Sequence, residues 1–174
     1  MRYGLMSNVR RSWSLKGERT VVGNQQEFAN RYLYTAIDPI NGESFHLMGF
    51  DDAATLQTHA FLGALQKQFP DDHIIVVWDR APFHKPKSLQ RTNMTLISLP
   101  SYSPQLNPVE RFFGEMRKAT ANRIFKEGIE ALEIVVEKTV CDLSNDQESL
   151  KTLTGYPWIQ EQWNAISEWM TIRK

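Results

Sequence analysis

Apolar positions along the chain follow a strand-like spacing first and a helical spacing later. Two runs rich in aromatic and β-branched residues, 31–37 and 44–50, flank a turn cluster that contains aspartate, proline and glycine. This pattern predicts a β-hairpin. Apolar residues then recur at helical spacing from Leu56 to Phe69, which predicts a helix that the next residue, a proline, ends.

Two short apolar runs in the middle of the chain predict further strands. Residues 73–78 are almost continuously apolar, a pattern typical of a strand covered on both faces. Residues 94–99 form a second run, which Pro100 ends. Both runs lie between segments with helical spacing, so the chain alternates between strands and helices.

The pattern becomes helical from Asn107 onward. Asn107, Pro108 and Glu110 stand at the N-cap, first and third helical positions, the order of a capping box. Three apolar stripes predict helices: Val109, Phe112, Phe113 and Met116; Ile129, Leu132, Val136 and Val140; and Ile159, Trp163, Ile166 and Met170. The element order predicts an α/β fold, a mixed sheet with helices packed on it, in a single domain over residues 1–174.

Composition excludes several classes of protein. The chain has 174 residues, of which 41% are apolar and 23% are charged, which is typical of one compact domain. The single cysteine, Cys141, excludes an internal disulfide and a cysteine-based zinc site, and its apolar neighbours predict a buried thiol. No apolar run approaches the length of a membrane span and no signal peptide opens the chain, so we expect a cytoplasmic protein without membrane contact.

Charge is distributed in blocks although the formal net charge is zero. Residues 1–31 and 80–126 are rich in Lys and Arg, whereas 32–79 and 127–174 are rich in Asp and Glu. A net charge of zero argues against a strongly electrostatic nucleic-acid binder, and such blocks are by themselves typical of solvated surface. Charge alone therefore leaves DNA binding open.

Two carboxylates are candidates for chemistry. Asp79 directly follows the run 73–78, and ligands gather at the carboxyl ends of strands in open α/β sheets, although an aspartate also commonly begins a turn. The capping box explains Glu110 as a structural residue. However, the proline-rich approach 99–110 fixes where the helix begins, and a metal ligand needs such rigid placement.

Residues 99–110 read Leu-Pro-Ser-Tyr-Ser-Pro-Gln-Leu-Asn-Pro-Val-Glu and closely resemble a signature of IS630 and Tc1-mariner transposases of the DDE type. The strand that ends in Asp79, with His84 five residues later, looks like the family's second aspartate motif. Arg80 and Ala81 stand where the family often has Asn-Ala. Residues 13–17, Trp-Ser-Leu-Lys-Gly, are similar to a segment that follows the family's first strand. The resemblance covers residues 1 to about 125.

The resemblance implies an RNase H-like mixed sheet flanked by helices and three carboxylates that hold two Mg²⁺ or Mn²⁺ ions. Two such ions polarise a scissile phosphate, activate the attacking hydroxyl and neutralise the leaving oxyanion. Asp79 and Glu110 match the second and third carboxylates. The first belongs upstream of Met1, so we expect that the chain is a partial catalytic (DDE endonuclease) domain. We also expect it to lack the first strand, which should lie in the sheet interior, and the family's N-terminal helix-turn-helix domain.

The resemblance also implies a partner and a reaction: double-stranded DNA at transposon ends and target sites, cut and joined in DNA transposition by an enzyme that forms homo-oligomers when complete. Alternatives remain open, namely an inactive remnant that only binds DNA or a partner transposase, or a split enzyme whose upstream reading frame supplies the missing Asp. An exposed, solvated charge is the competing interpretation for each candidate DNA contact, and a packing role is favoured for Trp13. The candidate DNA contacts are Lys16, Arg80, His84, Lys85, Lys87 and Arg111.

Overall fold

The computed structural model describes residues 1–84, 89 and 91–172, and for residues 83 and 166–172 it describes the backbone alone. The elements are five strands and five helices within the described residues. They are β1 (Arg2–Gly4), β2 (Asn30–Ile37), β3 (Ser44–Phe50), α1 (Thr55–Gln68), β4 (Ile74–Trp78), β5 (Met94–Ser98), α2 (Val109–Thr120), α3 (Ile129–Ser144), α4 (Gln147–Thr154) and α5 (Pro157–Ile172).

The predicted hairpin is confirmed. Strands β2 and β3 pair antiparallel, and β1 adds to the other edge of β2 in the same antiparallel sense. The side chain of Asp38 accepts a hydrogen bond from the Ile40 amide at 2.8 Å and so shapes the turn. Gly42 completes it with φ +75°, in a place where a Cβ atom would lie 2.1 Å from the carbonyl oxygen of Gln147. The turn therefore requires glycine for its backbone angle and for its contact with α4.

The strands form two separate sheets, one of three strands in the order β1–β2–β3 and one of two strands. Strands β4 and β5 pair parallel, with Ile74 opposite Met94 and Trp78 opposite Ser98. Within the described residues, no backbone pairing joins β4 to the three-stranded sheet. The expected absence of the first strand therefore needs a correction: three residues of a leading strand are present, and among the described strands they pair only with β2.

Strand β4 is covered on one face only, so the prediction of a doubly covered strand is wrong. Val76 and Trp78 pack against the buried side of α1 around Phe61. Ile75 and Val77 on the opposite face are 60% and 50% exposed. A short apolar run predicts a strand, but it does not show whether an element packs on each of its faces.

The larger core lies between the three-stranded sheet and helices α2, α3 and α4. Phe112, Met116 and Val136 are fully buried there against Leu33 of β2. The predicted stripes of α2 and α3 form this core. Cys141 follows the last buried position of α3 and is exposed, so the prediction of a buried thiol is wrong. Successive positions on a helix point about 100° apart, which turns this side chain away from the core.

Helix α4 was not predicted from the sequence. Its N-cap is Asp146, whose carboxylate accepts a hydrogen bond from the Ser149 amide at 3.0 Å. Leu150 is its one buried aliphatic residue, so the apolar spacing on which the prediction depends is missing. In the part of the chain that the structure describes, no helix is both long and apolar enough to cross a membrane.

Candidate active site

A cavity of about 360 Å³ lies where β4 and β5 end and α2 begins. Asp79, which follows β4, and Glu110, in the first turn of α2, both line it. The loop from Leu99 to Pro104, which leads from β5 toward α2, forms another part of the wall. The structure thus brings together the two carboxylates that the sequence singled out, although they are far apart along the chain.

The carboxylate of Asp79 is held on one side only. Its Oδ1 accepts a hydrogen bond from the Ala81 amide at 3.0 Å, and His84 Nδ1 lies 2.8 Å from the same oxygen. Its Oδ2 accepts no hydrogen bond from the described residues, and the side chain is 67% exposed. Asp79 therefore does shape a turn, which was the alternative to a catalytic role. The turn uses only one carboxylate oxygen, so the other remains oriented and available as a ligand.

His84 lies against Asp79 with its ring fixed by stacking. The imidazole is stacked on the Trp78 indole at a centroid distance of 4.3 Å and an interplanar angle of 2°. Its Nδ1 also lies 3.2 Å from the backbone oxygen of Asp79. Because the ring plane is fixed, its contact with the carboxylate has a defined direction. The Nδ1 atom of His84 is used in its contact with Asp79. A contact between His84 and DNA stays a prediction.

Helix α2 begins where its sequence predicts, although its first regular residue is Val109, one position after the predicted Pro108. The helix is assigned from Val109, yet Pro108 already has helical angles of φ −59° and ψ −28°. The Asn107 side chain accepts a hydrogen bond from the Val109 amide at 3.3 Å. Asn107 therefore acts as the N-terminal cap, and the proline at the next position stiffens the first turn.

The second half of the predicted capping box does not form. The Asn107 amide, which Glu110 would bind in such a box, donates to the carbonyl oxygen of Pro104 at 3.0 Å. The Glu110 carboxylate instead accepts a hydrogen bond from Arg117 Nη2 at 3.1 Å. The purely structural interpretation of Glu110 is therefore weakened, because the cap does not use its side chain.

The loop before α2 presents one residue that sequence reasoning did not single out. Tyr102 lines the cavity, is fully exposed at 101% and has φ +57°. A positive φ is rare for a bulky side chain. The tyrosine stands inside the signature 99–110, but nothing in the sequence itself indicates its backbone angle.

Met1 continues the pairing of β1 with β2 and lies within the electrostatic range of the site. Its backbone exchanges hydrogen bonds with Leu33 in both directions. Burial lowers the pKa of the Met1 α-amino group to about 6, while the Glu110 and Asp79 carboxylates oppose this shift and Arg117 reinforces it. The start of β1 is therefore within electrostatic range of both carboxylates.

The other predicted DNA contacts lie in different surroundings. Arg80 is exposed and lines the cavity. Arg111 points toward the junction of α4 and α5, where it donates to the carbonyl oxygen of Leu153 at 3.1 Å and lies 4.1 Å from the centre of the Tyr156 ring. The remaining two, Lys85 and Lys87, lie outside the described residues.

Lys16 belongs to a segment, residues 7–29, that contains no helix or strand. Asn122 anchors this segment by two hydrogen bonds with the backbone of Arg10, at 2.9 and 3.1 Å. Trp13 is fully exposed, so the interpretation that favoured a packing role for it is wrong. Lys16 is also exposed, at a turn in which the Glu18 amide donates to Leu15.

The donor set of the cavity is suited to a hard divalent cation but is small. Two carboxylates offer oxygen ligands, the type that Mg²⁺ and Mn²⁺ prefer. Within the described residues, no group of three or more His, Cys, Asp or Glu side chains could hold a metal ion. Asp79 and Glu110 thus fit part of a coordination shell, and a complete one needs a further protein ligand or more water.

Comparison with known proteins identifies relatives. A family model described as DDE superfamily endonuclease matches residues 2–132. The chain is 35% identical over 100 residues to the uncharacterized protein y4pE/y4sA of Sinorhizobium fredii, a match that covers 55% of this chain and 73% of that protein.

Two solved structures share the fold. The Mos1 transposase paired-end complex with left transposon end matches with a TM-score of 0.57 at 16% identity and covers 89% of this chain. The Mos1 strand transfer complex matches with a TM-score of 0.58 at 15% identity and covers 90%. The chain spans about half, 53%, of each Mos1 chain. This likeness confirms the RNase H-like α/β fold.

Proposed function

Because the chain belongs to the DDE superfamily endonucleases, we propose that it forms part of the catalytic domain of a DNA transposase of the IS630 and Tc1-mariner type. Such an enzyme cuts DNA strands and joins them to a target in a metal-dependent reaction. The observation that carries the proposal is the shared cavity of Asp79 and Glu110. The Mos1 structures are named as complexes with a transposon end and of strand transfer, which supports double-stranded DNA as the partner.

Asp79 and Glu110 would hold Mg²⁺ or Mn²⁺ through their carboxylate oxygens. A bound pair of ions would polarise the scissile phosphate, activate the attacking hydroxyl and neutralise the leaving oxyanion. The chain keeps these ligands in place by separate means. His84 and the Ala81 amide hold one oxygen of Asp79, and Arg117 and the stiff start of α2 hold Glu110.

We infer that a third carboxylate would come from a residue upstream of Met1. Supporting this, the Met1 α-amino group at the start of β1 is within electrostatic range of both carboxylates. Strand β4 has no second partner among the described strands, so its outer edge is open to an additional strand. An Asp on such a strand would complete the set of ligands.

The proposed contacts with DNA differ in their support. Arg80 has the best support, because it is exposed and lines the cavity. Lys16 is exposed on the segment 7–29 and does not line the cavity, so it would contact a phosphate outside the cavity wall. Arg111 has the weakest support, since its guanidinium already binds Leu153 and the ring of Tyr156.

Nicking of supercoiled plasmid in the presence of Mn²⁺ tests the proposal without knowledge of the transposon ends. The protein for this test includes the residues encoded directly upstream of Met1. We expect it to nick the plasmid, and we expect Asp79→Asn and Glu110→Gln each to reduce the rate by at least about 100-fold, because both remove a metal ligand. Glu115→Gln is the matched control on the same helix, since its carboxylate pairs with Lys118 and does not line the cavity.

The alternative function is that of an inactive transposase remnant that binds DNA or a partner transposase. It is favoured by the absence of a three-ligand group among the described residues. DNA binding by the longer protein without nicking, under Mg²⁺ and under Mn²⁺, would support the remnant. If Glu110→Gln stayed folded by circular dichroism and nicked at the full rate, Glu110 would have no role in the reaction and the proposed mechanism would be wrong.

A further inference from the structure

Tyr102 and Asn122 are the two non-glycine residues with a positive φ in the described part of the chain. Asn122, with φ 58°, is an ordinary case, because asparagine tolerates this region and its side chain binds the backbone of Arg10. Tyr102, with φ 57°, is not, because a bulky side chain is disfavoured there. A glycine or asparagine would suit this backbone better than the tyrosine does.

The Tyr102 side chain does not pack against the described part of the protein. It is 101% exposed. Among the described residues, its hydroxyl makes no hydrogen bond and its ring makes no aromatic contact. A strained residue that gains no packing in return points to a role in contact with another molecule.

Hydrogen bonds on both sides of Tyr102 fix the backbone that carries the ring. Before it, the Leu99 amide donates to the carbonyl oxygen of Trp78 at 2.8 Å and ties the loop to the end of β4. After it, the Leu106 amide donates to Ser103 at 3.1 Å in a 3-10 turn that begins with Pro104. The ring is therefore carried on a stiff support at the wall of the cavity that contains Asp79 and Glu110.

We propose that Tyr102 is a stacking platform for a nucleobase next to the phosphate at the candidate active site, an inference that rests on the proposed function. An exposed aromatic ring offers a face on which any base can stack, so the contact is tolerant of sequence. A base that has left the helical stack beside the reacting phosphate meets such a face. Stacking would fix the strand relative to Asp79 and Glu110, and a ring on a fixed backbone loses less conformational freedom on binding than one on a flexible loop.

Binding of a fluorescent DNA probe to the 174-residue chain tests the inference. The probe is a short duplex with a single-stranded overhang that carries 2-aminopurine, whose fluorescence falls when an aromatic ring stacks on it. We expect the original chain and Tyr102→Phe to quench the probe with a similar Kd. We expect Tyr102→Asn to abolish the quenching and to weaken binding about 5- to 150-fold, the equivalent of 1–3 kcal/mol for one stacked base.

Two controls separate stacking from folding. Asparagine suits the positive φ, so Tyr102→Asn should melt at an equal or higher temperature than the original chain, and a loss of binding then has no cause in unfolding. Phe28→Ala removes a different exposed aromatic side chain, 80% exposed and outside the cavity wall, and should leave Kd and quenching unchanged.

The outcomes also distinguish this inference from the proposed function. An unquenched probe with the original chain, or an unchanged Kd and quenching in Tyr102→Asn, overturns the stacking role whether or not the longer protein nicks plasmid. Quenching that depends on Tyr102, in a chain whose longer form never nicks, supports the platform and contradicts the proposed cleavage. Loss of quenching in Phe28→Ala as well would show an unspecific aromatic effect and overturn the inference.

Discussion

His46 connects β3 with β2 and α3 in the larger core. Its Nδ1 lies 3.1 Å from the Thr35 hydroxyl, and its Nε2 lies 2.9 Å from the Ser144 hydroxyl. The Ser144 hydroxyl also donates to Val140 at 2.7 Å, so it accepts from Nε2, and Nδ1 accepts from Thr35. Stacking on Phe112, at a centroid distance of 5.1 Å, completes the surroundings. In the neutral imidazole that carries its proton on Nε2, both ring nitrogens therefore have a partner.

Acidification should therefore destabilise the fold through this residue. Burial lowers the pKa of His46 from 6.5 to about 4. Between these two values the unfolded chain binds a proton that the folded chain does not bind, so the free energy of unfolding falls as pH falls from above 6.5 toward 4. The difference between the two pKa values corresponds to a loss of roughly 3 kcal/mol, at about 1.4 kcal/mol for each pH unit.

Urea unfolding at pH 7 and pH 4 measures this loss. Acidification also protonates carboxylates, which changes the stability of any variant, so the comparison of interest is with His46→Gln. Glutamine can accept and donate hydrogen bonds but does not titrate. We expect the original chain to lose roughly 3 kcal/mol more than His46→Gln between the two pH values.

A surface histidine provides the control. His73 is exposed, with its Nε2 2.8 Å from the Thr95 hydroxyl. We expect His73→Gln to show the same pH dependence of unfolding as the original chain. Equal losses of stability in the original chain and in His46→Gln would refute the reasoning, because they would show that the buried imidazole does not resist protonation.

Two further predictions concern the site and the hairpin. His84→Phe keeps a ring that can stack on the Trp78 indole but loses the Nδ1 contact with Asp79. Mn²⁺ affinity and plasmid nicking by the longer protein should therefore fall about 10- to 100-fold, at an unchanged melting temperature. An unchanged Mn²⁺ affinity would exclude a positioning role for His84. Gly42→Ala should lower the melting temperature, since a Cβ would lie 2.1 Å from Gln147 at φ +75°, whereas Gly17→Ala, at φ +95° in open space, should lower it less. Equal effects would show that the backbone angle alone, and not the contact, determines the cost.

Much of the fold could be predicted because local spacing reflects it directly. The hairpin, α1 and the stripes of α2 and α3 each depend on residues that are close in sequence, and the structure confirms them. The faces of β4 could not be predicted, because exposure of Ile75 and Val77 depends on which elements pack from elsewhere. Helix α4 was not predicted because a single buried aliphatic residue, Leu150, cannot show the helical repeat of apolar positions.

In the candidate site, too, local sequence predicted some features, while others depend on how distant parts of the chain pack. Sequence placed Asp79 at a strand end and Glu110 at a helix start, and the structure brings both to one cavity. The failure of the capping box could not be foreseen, since it depends on competition for the Asn107 amide by the carbonyl oxygen of Pro104. The exposed position of Tyr102 could not be predicted either, because a tyrosine in the sequence does not indicate a backbone φ of +57°.

The lone pairing of β4 has a consequence for how the chain behaves in solution. Among the described residues, β4 pairs with β5 and with no other strand, so the backbone groups of its outer edge have no strand partner. Amide protons on that edge should exchange rapidly with solvent, while those that face β5 exchange slowly. An uncovered strand edge also accepts strands from other chains. We therefore expect the 174-residue protein to associate as its concentration rises, and to lose this tendency when an added N-terminal strand occupies the edge.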